Sequence, residues 1–289
     1  MNADALVADA SGRGTHRSVI EAVKDAQPGA RIAVRPGTYA GPVVLKDDIG
    51  LVAEGPRDRV VIVGTGTCAV QVASGRSLVQ GLTLRVVAGR RSSTPEVLRI
   101  SSSCPEIVDC DVSSAMGDGI VVNGADADPS VISCVVHDCK GFGIWVREQA
   151  GGTFERCAVV GNARSGICVL GDPVVRDCEV RDGEYGIFVL TQGKGTFERC
   201  AVVGNAGLGI FALGDPVVRD CQVFGNRDGG VIVAAGALGT ITGCTVSLNT
   251  PDNWRVEAGA GGIRRDNRFD APTARNALVS TLRRFFGLP

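Results

Sequence analysis

Apolar and polar residues alternate in short runs along most of the chain, and the alternation repeats with a nearly constant period. Six segments begin with glycine and continue with three strand-forming residues: GIVV at 119, GIWV at 143, GICV at 166, GIFV at 186, GIFA at 209 and GVIV at 230. Short alternating runs that are bounded by glycine, asparagine and aspartate predict short β-strands joined by tight turns.

Seven cysteines repeat with the same spacing as these strands. They lie at positions 110, 134, 157, 178, 200, 221 and 244, at intervals of 24, 23, 21, 22, 21 and 23 residues. Five residues later an asparagine recurs at 162, 205, 226 and 249, with Cys139 and Gly183 at that place in two other repeats. Residues 152–180 and 195–223 are identical at 24 of 29 positions. This regularity predicts a solenoid with one coil per repeat.

The length and composition of the repeat decide between solenoid classes. Leucine-rich repeats need a leucine framework, helical repeats are longer and rich in helix formers, and hexapeptide β-helices keep a rigid period. A period of about 22 residues with valine, isoleucine and cysteine in the strands favours an all-β solenoid, a right-handed parallel β-helix of about ten coils. We interpret the cysteine ladder as small apolar side chains stacked at one inward bend.

The segment before the repeats, SVIEAVKDAQPGARIAVRPGTY from Ser18, resembles the beginning of the pectate-lyase-like β-helix proteins. Ser18 and Glu21 predict a capped helix start, and Val19, Ile20 and Val23 give the helix an apolar face. The resemblance implies a short N-terminal capping helix ahead of the first coil. The expected organisation is an N-terminal segment at 1–30, the β-helix at 31–260 and a C-terminal tail at 261–289.

The C-terminal tail departs from the repeat. Leu278, Leu282, Phe285 and Phe286 recur at helical spacing and predict an amphipathic helix. Such a helix would cap the solenoid or lie on its flank. The alternative is a helix that docks on a partner.

Composition and charge exclude several classes of function. Thirty basic residues balance 31 acidic ones, so we expect neither a nucleic-acid binder nor a protein bound to anionic membranes. No apolar run is long enough to cross a bilayer. The N-terminal residues lack the pattern of a secretory signal, so we expect a cytoplasmic protein with reduced cysteines. We expect no metal or cofactor, because the spacings of metal and nucleotide sites are missing.

Candidates for polar chemistry are few. Gly117-Asp118-Gly119 is slightly similar to the Gly-Asp-Asp element of polygalacturonases, but the second aspartate is missing, so the paired carboxylates of glycoside hydrolysis cannot be assigned. If the protein is an enzyme, the candidate catalytic residues are Asp118, Arg99, Arg147 and His137.

The outer face predicted for the glycine-isoleucine strands is unusually apolar. The strand period turns Gln71, Arg99, Val121, Trp145, Cys168, Phe188, Phe211 and Ile232 outward in successive coils. We predict that Trp145, Phe188 and Phe211, edged by Phe142 and Tyr185, bind a ligand.

The favoured function is a scaffold that binds a carbohydrate, an apolar metabolite or a protein partner. The alternatives are a lyase, isomerase or cyclase acting on a carbohydrate or metabolite in the same groove, and a purely structural surface covered by the C-terminal helix.

Overall fold

The computed structural model describes residues 6–66, 68–87 and 95–269. Within them the chain forms three parallel sheets that run along one axis, with 12, 10 and 10 strands. Each coil contributes one strand to each sheet in turn, which gives about 11 turns. The predicted parallel β-helix is confirmed. The predicted C-terminal helix lies outside the described residues.

The strands are numbered in chain order. Sheet A stacks β1 (Leu6–Ala8), β2 (Arg31–Val34), β5 (Gly50–Ala53), β8 (Leu78–Gln80), β11 (Glu106–Val108), β14 (Ser130–Ile132), β17 (Thr153–Glu155), β20 (Val174–Arg176), β23 (Thr196–Glu198), β26 (Val217–Arg219), β29 (Thr240–Thr242) and β32 (Arg264–Arg265). Sheet B stacks β3 (Gly37–Ala40), β6 (Val60–Thr65), β9 (Thr83–Val87), β12 (Asp111–Ser114), β15 (Val135–His137), β18 (Ala158–Val160), β21 (Glu179–Arg181), β24 (Ala201–Val203), β27 (Gln222–Phe224) and β30 (Thr245–Ser247). Sheet C stacks β4 (Val43–Leu45), β7 (Val70–Val72), β10 (Glu96–Ser101), β13 (Asp118–Asn123), β16 (Ile144–Val146), β19 (Ser165–Val169), β22 (Tyr185–Val189), β25 (Ile210–Ala212), β28 (Val231–Val233) and β31 (Trp254–Val256).

One short helix, α1 (Val19–Asp25), precedes the second coil and packs against β1 to β4. The Ser18 hydroxyl accepts a hydrogen bond from the Glu21 amide at 3.1 Å, as the sequence predicts. Val19 and Ala22 are buried, whereas Ile20 is 43% exposed. The expectation that Ile20 belongs to the buried face is therefore wrong, because in this short helix Ala22 faces the strands instead. No described helix has the length and apolar character that a membrane span requires.

The bend from sheet A to sheet B is the same in seven coils. One residue in the left-handed region precedes each of the seven repeating cysteines: Asp109, Ser133, Arg156, Asp177, Arg199, Asp220 and Gly243, with φ between 49° and 67°. Each of these cysteines is at most 2% exposed and carries a free thiol. The Cys178 sulfur, for example, lies 3.2 Å from the Arg176 carbonyl and 3.5 Å from that of Phe154 in the preceding coil. The bend thus directs a small side chain into the core.

The bend from sheet B to sheet C carries a buried asparagine ladder. The Asn205 side-chain amide donates to the Asn226 carbonyl oxygen at 2.9 Å, and Asn226 donates likewise to Asn249 at 2.8 Å. The same Asn226 oxygen accepts the Asn205 backbone N–H at 3.0 Å. Since all three side chains are buried, each coil satisfies polar groups of its neighbour that water cannot reach.

Loss of one ladder residue should therefore be costly. Replacing Asn226 with alanine leaves the buried Asn205 backbone N–H without its acceptor, and it removes one acceptor of the Asn205 side-chain amide and one donor to the Asn249 oxygen. We expect the free energy of unfolding to fall by about 2–4 kcal/mol. Urea denaturation measures it, with Arg227→Ala at the exposed neighbouring position as the control. A fall below about 0.5 kcal/mol would show that the ladder does not stabilise the stack.

Candidate functional site

The outer face of sheet C gathers the predicted aromatic residues. Strand register makes these outward residues consecutive partners: Gln71, Arg99, Val121, Trp145, Cys168, Phe188, Phe211 and Ile232. A glycine lies second in, or immediately before, six of these strands, where the packing is close. A Cβ at Gly143 would lie 2.6 Å from the Gly166 carbonyl oxygen. The start of each strand is thereby fixed against the next coil.

The aromatic side chains form two groups on this face. In the first, the rings of Phe142 and Trp145 lie 5.2 Å apart and are tilted by 54°. In the second, Phe188 and Phe211 are stacked at 5.2 Å and 13°. These four are half-buried, and Tyr185 at the edge is 36% exposed. Cys168 lies between the two groups.

The outward residues are not all available to a ligand. Val121, Cys168 and Ile232 are each about 1% exposed, so among the apolar residues predicted to face outward only the aromatic ones, Trp145, Phe188 and Phe211, reach the surface. Burial raises the pKa of Cys168 to about 12. Its thiol therefore remains protonated at neutral pH and is a poor nucleophile.

Guanidinium groups cover part of the first aromatic group. The Arg147 guanidinium carbon lies 4.1 Å above the Trp145 ring, and that of Arg164 lies 5.0 Å above Phe142. Both distances are within the range of a cation–π interaction. The Trp145 indole N–H is buried without a hydrogen-bond partner in the described chain. Positive charge and aromatic surface thus lie together on the outer face of sheet C.

Two carboxylates lie beside this first group. Glu96 and Asp118 are register partners on β10 and β13, and both are buried. Glu96 pairs with the Arg99 guanidinium and, at 3.0 Å, with that of Arg147. We call Glu96, Asp118, Arg99, Arg147 and Arg164 the charged cluster. Its three guanidiniums and two carboxylates leave an excess of positive charge.

Asp118 has a different environment from Glu96. One of its carboxylate oxygens accepts the backbone N–H of Phe142 at 2.7 Å. Burial raises the pKa of Asp118, and the nearby Glu96 raises it further, while Arg147 and Arg164 act in the opposite direction. A carboxyl with a raised pKa next to an arginine-paired carboxylate is the arrangement that acid–base chemistry uses.

The structure brings together three of the four polar candidates and separates the fourth. Asp118, Arg99 and Arg147 meet through Glu96, whereas His137 lies on β15 of sheet B. His137 therefore lies on a different sheet from the charged cluster. Its ring nitrogens lie 3.2 Å from Asp111 and 2.8 Å from Asp138. The hydrogen bonds to Asp111 and Asp138 raise the pKa of His137 to about 9, so it is charged at neutral pH and unsuited to accept a proton.

Glu96 was missed by sequence reasoning. Its strand reads EVLRI, with Val97 where the later repeats carry glycine, so the glycine-isoleucine pattern does not reach it. Extending the register by one coil from Asp118 would have found it. Among the described residues, no three His, Cys, Asp or Glu side chains are arranged to hold a metal ion.

The family model for the right-handed β-helix region matches residues 96–246 and 171–275, which together are more than half of the chain. The chain belongs to the right-handed β-helix family.

Similar solved structures agree on the fold. An alginate lyase from Paenibacillus sp. str. FPU-7 has a TM-score of 0.66 at 11% identity, covering 84% of this chain and 96% of its own. The A-module of the mannuronan C-5 epimerase AlgE4 from Azotobacter vinelandii has a TM-score of 0.57 at 18% identity, covering 86% of this chain and 75% of its own. A pectate lyase has a TM-score of 0.53 at 14% identity, covering 93% of this chain and 78% of its own.

One curated protein shares a short stretch of sequence with this β-helix. The F-box protein dre-1 of Caenorhabditis elegans is 34% identical over 64 residues, which are 22% of this chain and 7% of that protein. The match spans too little of the F-box protein to carry its activity across.

The paired histidine gives a pH-dependent prediction for stability. Because the folded pKa of His137 is raised from 6.5 to about 9, its stabilising effect is full below about pH 6.5 and is lost as the pH rises through 9. We expect His137→Gln to lower the free energy of unfolding by about 1 kcal/mol at pH 6 and by almost nothing at pH 10.5. Urea denaturation of both proteins from pH 5 to 10.5 measures the difference. A difference that grows with pH would contradict the ion pairs.

Proposed function

We propose that the outer face of sheet C binds a carbohydrate that carries carboxylate groups. The observation that carries the proposal is the Arg147 guanidinium, 4.1 Å above the Trp145 ring and paired with the buried Glu96. Aromatic faces bind the apolar faces of sugar rings, and guanidiniums bind carboxylates with two parallel hydrogen bonds. Phe188 and Phe211 extend the aromatic surface two and three strands further along the axis.

The net charge of the site selects among the ligand classes expected from the sequence. Arg99 and Arg147 share a single carboxylate, and Arg164 lies over Phe142 with no carboxylate of a described residue within ion-pair distance. A purely apolar metabolite would leave this positive charge uncompensated. The names of the solved structures with this fold refer to alginate, mannuronan and pectate, which supports an acidic polysaccharide as the ligand.

A second candidate function is an enzyme acting at the same place. Glu96 and Asp118 favour it, because they are neighbouring buried carboxyls and burial raises the pKa of Asp118. In such a reaction Asp118 would hold the proton to be transferred. The guanidiniums of Arg99 and Arg147 would orient the sugar carboxylate.

Binding should depend on both the aromatic and the charged parts. We expect Trp145→Ser, Phe188→Ser and Arg147→Gln each to weaken the binding of an acidic oligosaccharide at least about tenfold, since a stacked ring or a charged pair contributes one to a few kcal/mol. Calorimetric titration with oligouronates measures the affinity, and a neutral glucan oligomer tests the role of charge. Ile20→Ser, on the exposed side of α1, is the control.

The same titrations separate the two candidate functions. Release of a shortened or altered oligosaccharide, abolished by Asp118→Asn while binding persists, would establish the enzyme. Binding without a product would establish the scaffold. An affinity for oligouronates that is unchanged in all three variants would refute the site.

A further inference from the structure

A second column of side chains runs beside the aromatic residues on the outer face of sheet C. It consists of the residue that follows the inward valine or alanine of each strand, and it reads Arg147, Leu170, Leu190 and Leu213 in successive coils. The backbone N–H of each donates to a carbonyl of the preceding coil at 2.8 to 2.9 Å, so these residues continue the parallel ladder. We call Leu170, Leu190 and Leu213 the leucine column.

The leucine column points away from the core. Val169, Val189 and Ala212, which directly precede the leucines, are fully buried, and the strand period turns the next side chain to the opposite face. The three leucines are half-buried, and none of them is among the side chains that pack against the core of the described chain. They therefore lie on the same face as Phe188 and Phe211, two positions further along β22 and β25.

The outer face of sheet C thus changes its chemical character along the axis. The charged cluster is centred on β10, β13 and β16. On β19, β22 and β25 the two outward columns consist of Cys168, Phe188, Phe211 and the leucine column, and none of these side chains is charged. A polysaccharide with a carboxylate on every residue would leave the leucine column without an apolar partner. The face fits a ligand that is itself divided into a charged and an apolar part.

Polar side chains border the leucine column on the side of sheet A. A cavity of about 260 Å³ at the bend after sheet C is lined by Leu170 and by the polar residues Glu148, Gln149, Asp172, Gln192 and Lys194. The apolar strip is therefore three strands long, roughly 10 Å between its outer strands, with charged groups at one end and along one edge. A short alkyl chain lying along the axis fits this strip. A bilayer does not, because it needs apolar side chains that protrude beyond their polar neighbours.

We propose that the outer face of sheet C binds, in free solution, an acidic saccharide that carries a short acyl group. This rests on the proposed function, since the positive excess of the charged cluster complements the sugar carboxylate, which pairs with Arg147 while the ring lies on Trp145. The acyl group extends across β19, β22 and β25, between the leucine column and the rings of Phe188 and Phe211. Residues two positions apart in a strand are roughly 7 Å apart, which leaves room for one alkyl chain.

Calorimetric titration with four glycosides tests the charged and apolar parts separately. The probes are methyl glucuronide, hexyl glucuronide, methyl glucoside and hexyl glucoside, in which the hexyl group stands for the acyl chain. Hexyl glucuronide should bind at one site and at least about twentyfold more tightly than methyl glucuronide, because each added methylene contributes about a factor of two when it is half removed from water. Hexyl glucoside, which lacks the carboxylate, should bind at least about tenfold more weakly than hexyl glucuronide.

Variants assign the apolar part to the leucine column. Leu190→Ser should weaken the binding of hexyl glucuronide at least about fivefold and change that of methyl glucuronide less than about twofold, because only the hexyl group reaches β22. Arg147→Gln should weaken both glucuronides by a similar factor, since both carry the carboxylate. Val44→Ser, at an exposed position on the same face of sheet C in β4, is the matched control and should change neither affinity.

The outcomes distinguish this proposal from the proposed function. Equal affinities for hexyl and methyl glucuronide, or binding of oligouronates but of neither glucuronide, would overturn the acyl group alone. Equal affinities for hexyl glucoside and hexyl glucuronide, or no binding of glucuronides and oligouronates alike, would refute the acidic site and the proposal with it. More than one hexyl chain bound per protein, or co-sedimentation with phosphatidylcholine vesicles, would show general hydrophobic adsorption and also overturn it. If Leu190→Ser fails to fold, the four probes on the parent protein still decide.

Discussion

Every feature of this molecule depends on the requirement that each coil returns to the same place above the previous one. Two bends impose that requirement. In one, a residue with positive φ precedes a buried cysteine, and in the other a buried asparagine donates to and accepts from its neighbours above and below. A buried amide without its partner costs about 1–3 kcal/mol, so a coil that slipped by one residue would lose several such contacts together. These contacts therefore keep successive coils in register along the stack, although the coils differ in length by a few residues.

In-register stacking also creates the proposed site. A position that faces outward in one coil faces outward in the next, and so side chains far apart in sequence become neighbours. Trp145 and Phe188 are 43 residues apart in sequence and two strands apart on sheet C. Glu96 reaches Arg147 in the same way, across β13. The core face of the same strands is mostly valine and isoleucine, whereas the outer face differs from coil to coil.

The repeat allowed the fold and the outward register of sheet C to be predicted, because period and residue type act locally and recur many times. The capped start of α1 was predictable from Ser18 and Glu21 because a helix cap is a local interaction. What the repeat did not reveal depends on single contacts between coils. Glu96 lacks the glycine that marks its later counterparts. The contacts of His137 with Asp111 and Asp138 on sheet B join side chains that the repeat pattern does not place. Burial of Val121, Cys168 and Ile232 depends on neighbouring side chains that a one-dimensional pattern does not place.

Trp145 offers the most direct measurement of the central claim, that the outer face of sheet C is the ligand surface. The chain has two tryptophans, so Trp254→Phe leaves Trp145 as the only one. Titration of this variant with an oligouronate should change the tryptophan emission in a saturable way, with a midpoint equal to the calorimetric dissociation constant and shifted to higher concentration by salt. Binding that is detected by calorimetry but leaves the emission of Trp145 unchanged at saturation would contradict the account.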